Sequence, residues 1–399
     1  MYVSILGIVA VASCLRLEIA IPLPTRDEDA ANLLALALCI SATTAGISAL
    51  VVVFFPAQII RLIAQPKLQP YLLLVPLGIW LSGSYAALQF WATRKKRFSS
   101  IAKTRLSQAL GGAAMQVGVG AVNGAPLGLL LGQMITSGAG IFGLARDVLK
   151  NDLEALRTIR WSTMRRVLRE YDRFPKYSTV ESFANNLGIQ LPVIVIAALA
   201  LGPEAGFLML ATRAMQAPIG LIGGAVSQVY LSRAPEEFRA GTLHEFTANA
   251  IGTLAKVGIG PLLFAGIVAP PAFIFGFGKE WVRAGEIVVW MTPWFIFQFI
   301  SSPISMVMHV RVMQKAMLAL TLSGLLIRIG AIVIAANFDR HHFSEYYAIS
   351  GAVFYLICLY IFIRAAGVSF SDFYRKISSA MPWVIGWVCV GVMCRYVLD

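Results

Sequence analysis

Three basic side chains lie within long apolar segments of this chain. Arg213, Lys256 and Arg328 are each flanked by runs of aliphatic and aromatic residues. A cation that faces hydrocarbon costs about 3 kcal/mol, so each is expected to face protein or water. An arginine in a wet cavity can hold an anionic group such as phosphate through two parallel hydrogen bonds. The alternatives are a structural ion pair, contacts to backbone carbonyls or, for Lys256 and Arg328, side chains that snorkel to a membrane face.

A second polar group is concentrated in the first half of the apolar segment at 180–201. It consists of Glu181, Ser182, Asn185, Asn186 and Gln190. Because residues four apart share a helical face, Glu181 lies next to Asn185 on the predicted helix. This arc is expected to line a hydrophilic passage, and the alternative is hydrogen bonding between packed helices. Glu181 is a candidate for binding a coupling cation, unless it is simply solvated at the membrane interface.

Composition places these polar residues in a membrane protein. Of the 399 residues, 58% are hydrophobic and 13% are charged, whereas soluble domains are about 25% charged. Apolar segments lie at about 1–14, 31–55, 70–91, 106–122, 125–145, 180–201, 205–231, 248–275, 284–308, 314–336, 344–363 and 380–398. Most are long enough to cross a bilayer as a helix, and the first is truncated. The sequence therefore predicts an all-α polytopic membrane protein with about 12 spans.

The positive charge indicates orientation. The net charge is +13, a value that in a soluble protein would suggest nucleic-acid binding. Here most of the 33 Lys and Arg residues fall in alternate loops, as expected when basic residues are retained on the cytoplasmic side. The densest cluster, at 147–176, predicts an amphipathic helix that contacts anionic lipid. The alternative is that this cluster contacts substrate or another protein, and no nucleic-acid partner is expected.

The order of these segments predicts two helical lobes around a central cavity. We expect an N-terminal transmembrane lobe at 1–146, a basic cytoplasmic linker helix at 147–176, a C-terminal transmembrane lobe at 177–365 and an accessory C-terminal helix at 366–399. The buried polar residues would face the cavity. Prolines inside several segments would allow their helices to bend between states.

Sequence signatures of catalysis are missing where an enzyme would need them. The four histidines form no HExxH motif and have no carboxylate cluster with them, and no phosphate-binding GxxxxGK[ST] loop is present. The five cysteines contain no CxxC pair and fall mostly inside apolar segments. We therefore expect no metal, no cofactor and no enzymatic activity.

Two stretches carry a family resemblance. The first is CLRLEIAIPLPTRDEDAANLLALAL, with its spaced residues Arg16, Glu18, Ala20, Ile21, Leu23 and Pro24. The second runs from FPKYS to SQVY, at 174–230. In order and spacing they closely resemble the Wzx-like polysaccharide flippases of the multidrug/oligosaccharidyl-lipid/polysaccharide exporter superfamily. The resemblance covers nearly the whole chain, although such proteins begin with one more helix, which this sequence lacks.

The resemblance implies a function. Such flippases move an undecaprenyl-diphosphate-linked oligosaccharide across the bacterial inner membrane for O-antigen, capsule or exopolysaccharide synthesis, by alternating access. On this basis Arg213 is the leading candidate to hold the diphosphate. The other implied substrate contacts are Lys256, Arg328, Asn185, Asn186 and Gln190. A polysaccharide polymerase and a chain-length regulator would be further partners.

Two alternatives remain open at the level of sequence. One is a drug or metabolite exporter of the same superfamily. The other is a membrane scaffold that transports nothing and recruits polysaccharide enzymes through its basic linker.

Overall fold

Helices account for nearly all of the chain that the computed structural model describes, namely residues 13–58, 70–121, 125–199, 203–339 and 342–398. These residues contain no β-strand. The all-α fold predicted from the apolar segments is therefore confirmed. The chain divides into two compact units, Met1–Phe183 and Ala184–Asp399.

The first unit is built from seven helices and the start of an eighth within its described residues. They are α1 (Asp27–Phe54), α2 (Leu74–Arg94), α3 (Phe98–Ala121), α4 (Ala125–Gly138), α5 (Gly140–Asn151), α6 (Leu153–Arg157), α7 (Trp161–Glu170) and α8 (Thr179–Leu199). Helix α1 begins with three acidic residues, at 27–29, which favour a helix N-terminus. A long apolar run follows them and packs against α2.

The second unit continues from α8 with longer helices. They are α9 (Glu204–Ala240), α10 (Leu243–Leu254), α11 (Gly260–Phe277), α12 (Val282–Ile304), α13 (Val307–Val310), α14 (Gln314–Phe338), α15 (Phe343–Ala366), α16 (Phe370–Ser378) and α17 (Met381–Leu398). A π-helical turn at Ala255–Ile259 joins α10 to α11. Helix α12 is central, since α9, α11 and α15 all pack against it.

The predicted spans coincide with helices wherever the structure describes them. Six described helical stretches are long and apolar enough to cross a membrane, or seven if α16 and α17, which are bent by 43°, form one broken span. The predicted spans at 70–91, 106–122, 180–201 and 205–231 also coincide with long helices, namely α2, α3, α8 and α9. The segment predicted at 1–14 lies almost entirely outside the described residues. The chain is thus a multi-pass membrane protein.

The basic segment at 147–176 differs from the single linker helix expected from the sequence. The structure divides it into the end of α5, the short α6, α7 and a π-helical turn at Phe174–Ser178. Helix α5 ends before Asp152, whose buried carboxylate accepts hydrogen bonds from Nη1 and Nη2 of Arg97 at 2.7 and 2.8 Å. The indole Nε1 of Trp91 donates a third, at 2.9 Å. The break therefore orients the carboxylate of Asp152 toward Trp91, which is in α2, and Arg97, which follows α2.

A buried amide secures the second break, between α6 and α7. Asn32 of α1 is completely buried. Its Nδ2 donates to the carbonyl of Thr158 at 3.3 Å, and its Oδ1 accepts from the backbone N–H of Arg160 at 3.0 Å. The amide thus satisfies backbone groups that a helix end leaves unpaired. The division of the chain into two lobes, a linker and an accessory helix stays a prediction.

The loop at 15–26 is held together by one arginine. The guanidinium of Arg94 donates to the carbonyl oxygens of Pro22 at 3.3 Å and Pro24 at 2.7 Å, and to a carboxylate oxygen of Asp27 at 3.0 Å. This loop contains Glu18, which is buried in a 3-10 turn. Burial raises the pKa of the Glu18 carboxyl, and the nearby Arg16 partly opposes the shift. The residues between Arg16 and Pro24 that carry the family resemblance therefore lie in a loop whose carbonyl oxygens accept hydrogen bonds from Arg94.

Loss of the charge on Asp152 should destabilise the first unit. In the variant Asp152→Asn, Arg97 keeps its position but loses a buried carboxylate, at a cost of about 3 kcal/mol. We expect a lower unfolding temperature in detergent. Asp172→Asn is the matched control, because Asp172 pairs with Lys176 on the surface and such pairs contribute about 0 to 1 kcal/mol. Equal unfolding temperatures for the two variants would contradict a stabilising role for the buried carboxylate of Asp152.

Replacement of Arg94 by lysine should loosen the loop at 15–26. Lysine keeps the charge but lacks the planar fork that reaches several carbonyls at once. We expect Arg94→Lys to be cleaved faster in this loop by a protease added to the purified protein. Arg105→Lys, at an exposed position on α3, should be cleaved at the wild-type rate. Unchanged protection of the loop in Arg94→Lys would show that other contacts hold it.

Candidate functional site

Arg213 lies on an exposed face of α9. It is the tenth residue of the helix, about 14 Å from its start. The side chain is exposed and makes no hydrogen bond or ion pair with any described residue. Met209 and Gln216 flank it on the same face and are exposed too. The second unit by itself therefore presents a cation and an amide on an uncovered face.

The opposite face of α9 explains this orientation. Leu208, Ala211 and Met215 are buried, and α9 packs against α12. Residues three, four and seven apart lie on one side of a helix, so burial of this apolar stripe leaves Arg213 on the other side. The hydrophobic packing of α9 thus fixes where its arginine points.

Arg328 is in the opposite situation, because it is only 3% exposed. Its guanidinium carbon lies 4.8 Å from the ring centre of Phe354 and 5.6 Å from those of Trp294 and Tyr355. Its Nη1 donates to the carbonyl of Gly188 at 3.3 Å. No carboxylate among the described residues pairs with it. Aromatic faces attract cations, so they replace a counter-ion here.

Two glycines make room for this aromatic cage. A Cβ at Gly324 of α14 would lie 2.3 Å from the ring of Phe354, and one at Gly351 of α15 would lie 2.4 Å from Trp294. Larger residues at these positions would therefore push the rings away. The close approach of α14 and α15 to their neighbours places the rings around Arg328.

Lys256 lies neither on the exposed face of α9 nor in the aromatic cage around Arg328. It is exposed in the π-helical turn between α10 and α11, where Ala255 and Gly258 are buried. No described contact joins it to Arg213 or Arg328. The three cations singled out in the sequence therefore have three different environments.

The polar arc at the start of α8 is divided by the structure. Glu181 and Ser182 are buried in the first unit, and the Ser182 hydroxyl donates to Glu181 at 3.5 Å. Asn185 is exposed and Asn186 is half-buried in the second unit. The side chain of Gln190 lies outside the described residues. The alternative of simple solvation for Glu181 is not what the structure shows, since this carboxylate is packed inside protein.

The structure also contains an ion-pair cluster that sequence reasoning missed. Nη2 of Arg283, near the start of α12, lies 3.0 Å from Glu204 of α9 and 2.7 Å from Glu345 of α15. The Ser344 hydroxyl donates to Glu204 at 2.7 Å. The cluster ties three helices together at one end. Acidic residues in the first turns of α9 and α15 are the only hint in the sequence, because the partners are distant in the chain.

None of these groups forms a metal site within the described residues. There, no group of three or more His, Cys, Asp or Glu side chains could hold a metal ion. The geometry instead offers the exposed cation of Arg213 beside one amide, Gln216, which suits an anion that carries hydroxyl groups.

Two solved structures share the fold. The bent form of the Vibrio cholerae MATE transporter VcmN superimposes with a TM-score of 0.62 at 12% identity, over 96% of this chain and 87% of that one. The lipid II flippase MurJ, in an inward closed conformation, superimposes with a TM-score of 0.57 at 14% identity, over 99% of this chain and 88% of that one. At such low identity the likeness establishes the fold alone.

The family is identified from sequence. No curated protein matches the chain. A profile of the family described as "Polysaccharide biosynthesis protein" matches residues 25–286, which include the basic segment, all of α9 to α11 and the start of α12. The resemblance noted in the sequence is confirmed at the level of the family. The chain belongs to the polysaccharide biosynthesis protein family.

Proposed function

We propose that this protein is a flippase for an undecaprenyl-diphosphate-linked oligosaccharide. It would move this substrate from the cytoplasmic to the outer leaflet of the bacterial inner membrane, for synthesis of O-antigen, capsule or exopolysaccharide. Family membership and the transporter fold support a lipid-linked substrate. The observation that carries the proposal is Arg213, an exposed cation without a described partner on a helix of a membrane protein.

Arg213 would hold the diphosphate. Its planar fork can donate two parallel hydrogen bonds to one phosphate, and such a bond gains strength where water is partly excluded. Gln216, one turn away, would bind a neighbouring oxygen. The lipid tail would stay in the bilayer, so the protein needs to shield only the charged and sugar parts.

Asn185 and Asn186 would contact the sugars. Amides donate and accept hydrogen bonds, as sugar hydroxyls require. Arg328 would position these amides rather than meet the substrate, since it is buried and its Nη1 holds Gly188, three residues after Asn185. Gln190 and Lys256 stay predicted contacts, and Glu181 stays a predicted ion-coupling residue.

Alternating access completes the proposal. The two units would act as lobes around a central cavity that opens to each leaflet in turn. The basic segment at 147–176 would contact anionic lipid on the cytoplasmic side. The polysaccharide polymerase and the chain-length regulator stay predicted partners.

A drug or metabolite exporter is the second candidate function. The likeness to a MATE transporter favours it, with a TM-score of 0.62. The two functions differ in phenotype. Deletion should abolish surface polysaccharide if the protein is a flippase, and should increase drug sensitivity without that loss if it is an exporter.

Replacement of Arg213 should strongly slow translocation without unfolding the protein. Loss of a hydrogen bond to a charged group costs about 1.5–3 kcal/mol, so Arg213→Ala should transport about 10- to 100-fold more slowly. The measurement is the appearance of fluorescent lipid-linked oligosaccharide in the opposite leaflet of proteoliposomes. Arg233→Ala is the matched control, because Arg233 is exposed on the same helix. Wild-type transport by Arg213→Ala would remove this residue from the mechanism.

A further inference from the structure

A cavity lies between α1 and α7 in the first unit. Its volume is about 270 Å³, and it is lined by Leu36, Trp161, Met164, Arg165 and Leu168. Four of these five side chains are apolar or aromatic. The fifth, Arg165, is exposed. The cavity therefore combines an apolar wall with one charged edge.

The walls of the cavity are held in place by polar contacts. Asn32 fixes the chain just before α7, as described above, and Arg166 forms an ion pair with Asp29 in the first turn of α1. Met164 and Val167 are the buried residues of α7. The groove thus exists before any ligand binds, which lowers the entropy lost on binding.

Two arginines beside the groove are available to a ligand. Trp161, Arg165 and Arg169 recur every four residues and share one stripe of α7. Arg166 is committed to Asp29, whereas Arg165 and Arg169 form no ion pair with any described residue. Trp161 is 76% exposed at the same edge. Such a stripe, with tryptophan beside two unpaired arginines, is typical of a surface at the lipid headgroup level.

The depth of the cavity along α1 fits a position at the level of the lipid headgroups. Leu36 lies nine residues into α1, about 14 Å from the polar start of that helix at Asp27. The chain turns apolar from Leu33 onward. The apolar wall is therefore placed where acyl chains begin, and the arginines can reach the phosphate level.

We propose that this groove binds one anionic glycerophospholipid of the cytoplasmic leaflet. An acyl chain would lie against Leu36, Met164 and Leu168, and the phosphate would lie between Arg165 and Arg169. The proposal rests on the orientation proposed above, in which the basic segment faces the cytoplasm, and it requires no step of transport. It defines a specific site, which differs from diffuse attraction of a basic helix to a charged membrane.

Native mass spectrometry of the purified full chain with added phosphatidylglycerol or phosphatidylcholine tests the proposal. The variant Arg165→Gln/Arg169→Gln should bind phosphatidylglycerol about 30-fold more weakly than wild type. Lys103→Gln/Arg105→Gln removes the same charge at exposed positions of α3 and should bind as wild type does. Phosphatidylcholine should bind weakly to all three proteins.

A second variant tests the apolar wall. Leu168→Trp fills the cavity and keeps both arginines, so it too should weaken binding of phosphatidylglycerol. Unfolding temperatures near the wild-type value show that each variant is folded. Arg213→Ala should bind this lipid normally, so failure of the transport proposal is distinguishable from failure of the lipid site.

Three outcomes would overturn the proposal. The first is equal binding of phosphatidylglycerol by wild type and the double arginine variant. The second is equal affinity for phosphatidylcholine, which would remove the role of charge. The third is stronger binding of undecaprenyl phosphate than of phosphatidylglycerol with loss in the same variant, which would assign the groove to the substrate lipid.

Discussion

The structure depends on one constraint, which is that a charged side chain inside a membrane protein must have a partner or water. Two other arginines of the second unit have partners among the described residues. Arg283 has carboxylates from two other helices, and Arg328 has aromatic rings and a backbone carbonyl. Arg213 has neither among the described residues. Under the proposed function, water and an anionic ligand would satisfy Arg213, and this would distinguish it from the two structural arginines.

The same constraint shapes the end of the first unit that carries the basic segment. Helix breaks and loops leave backbone groups unpaired, and buried polar side chains satisfy them. Asn32 accepts a hydrogen bond from the backbone at the break before α7, and Arg94 donates to carbonyls of the loop at 15–26. Asp152, just after α5, accepts hydrogen bonds from Arg97. The basic segment is consequently a folded part of the first unit, in which the position of α7 is fixed. A fixed arrangement of this kind can form a lipid site.

Hydropathy predicted the helices because a span is a local signal about 20 residues long. It could not predict contacts between distant residues. Arg283 and Glu204 are 79 residues apart, and the break of the linker at Asp152 depends on an arginine 55 residues earlier. Arg213 was recognisable because one charge stood in an apolar run, but the buried state of Arg328 and Glu181 was not, since burial depends on which faces of neighbouring helices meet.

The central claim is that the face of α9 bearing Arg213 is in contact with water. Cysteine accessibility tests it most directly, with Gln216→Cys introduced into a variant that lacks the five native cysteines. Ile332→Cys, at a completely buried position, serves as the unreactive control. In intact membranes we expect a charged maleimide to label Gln216→Cys, and added lipid-linked oligosaccharide to slow the labelling. Labelling no faster than that of Ile332→Cys would place this face against lipid or protein and contradict the account.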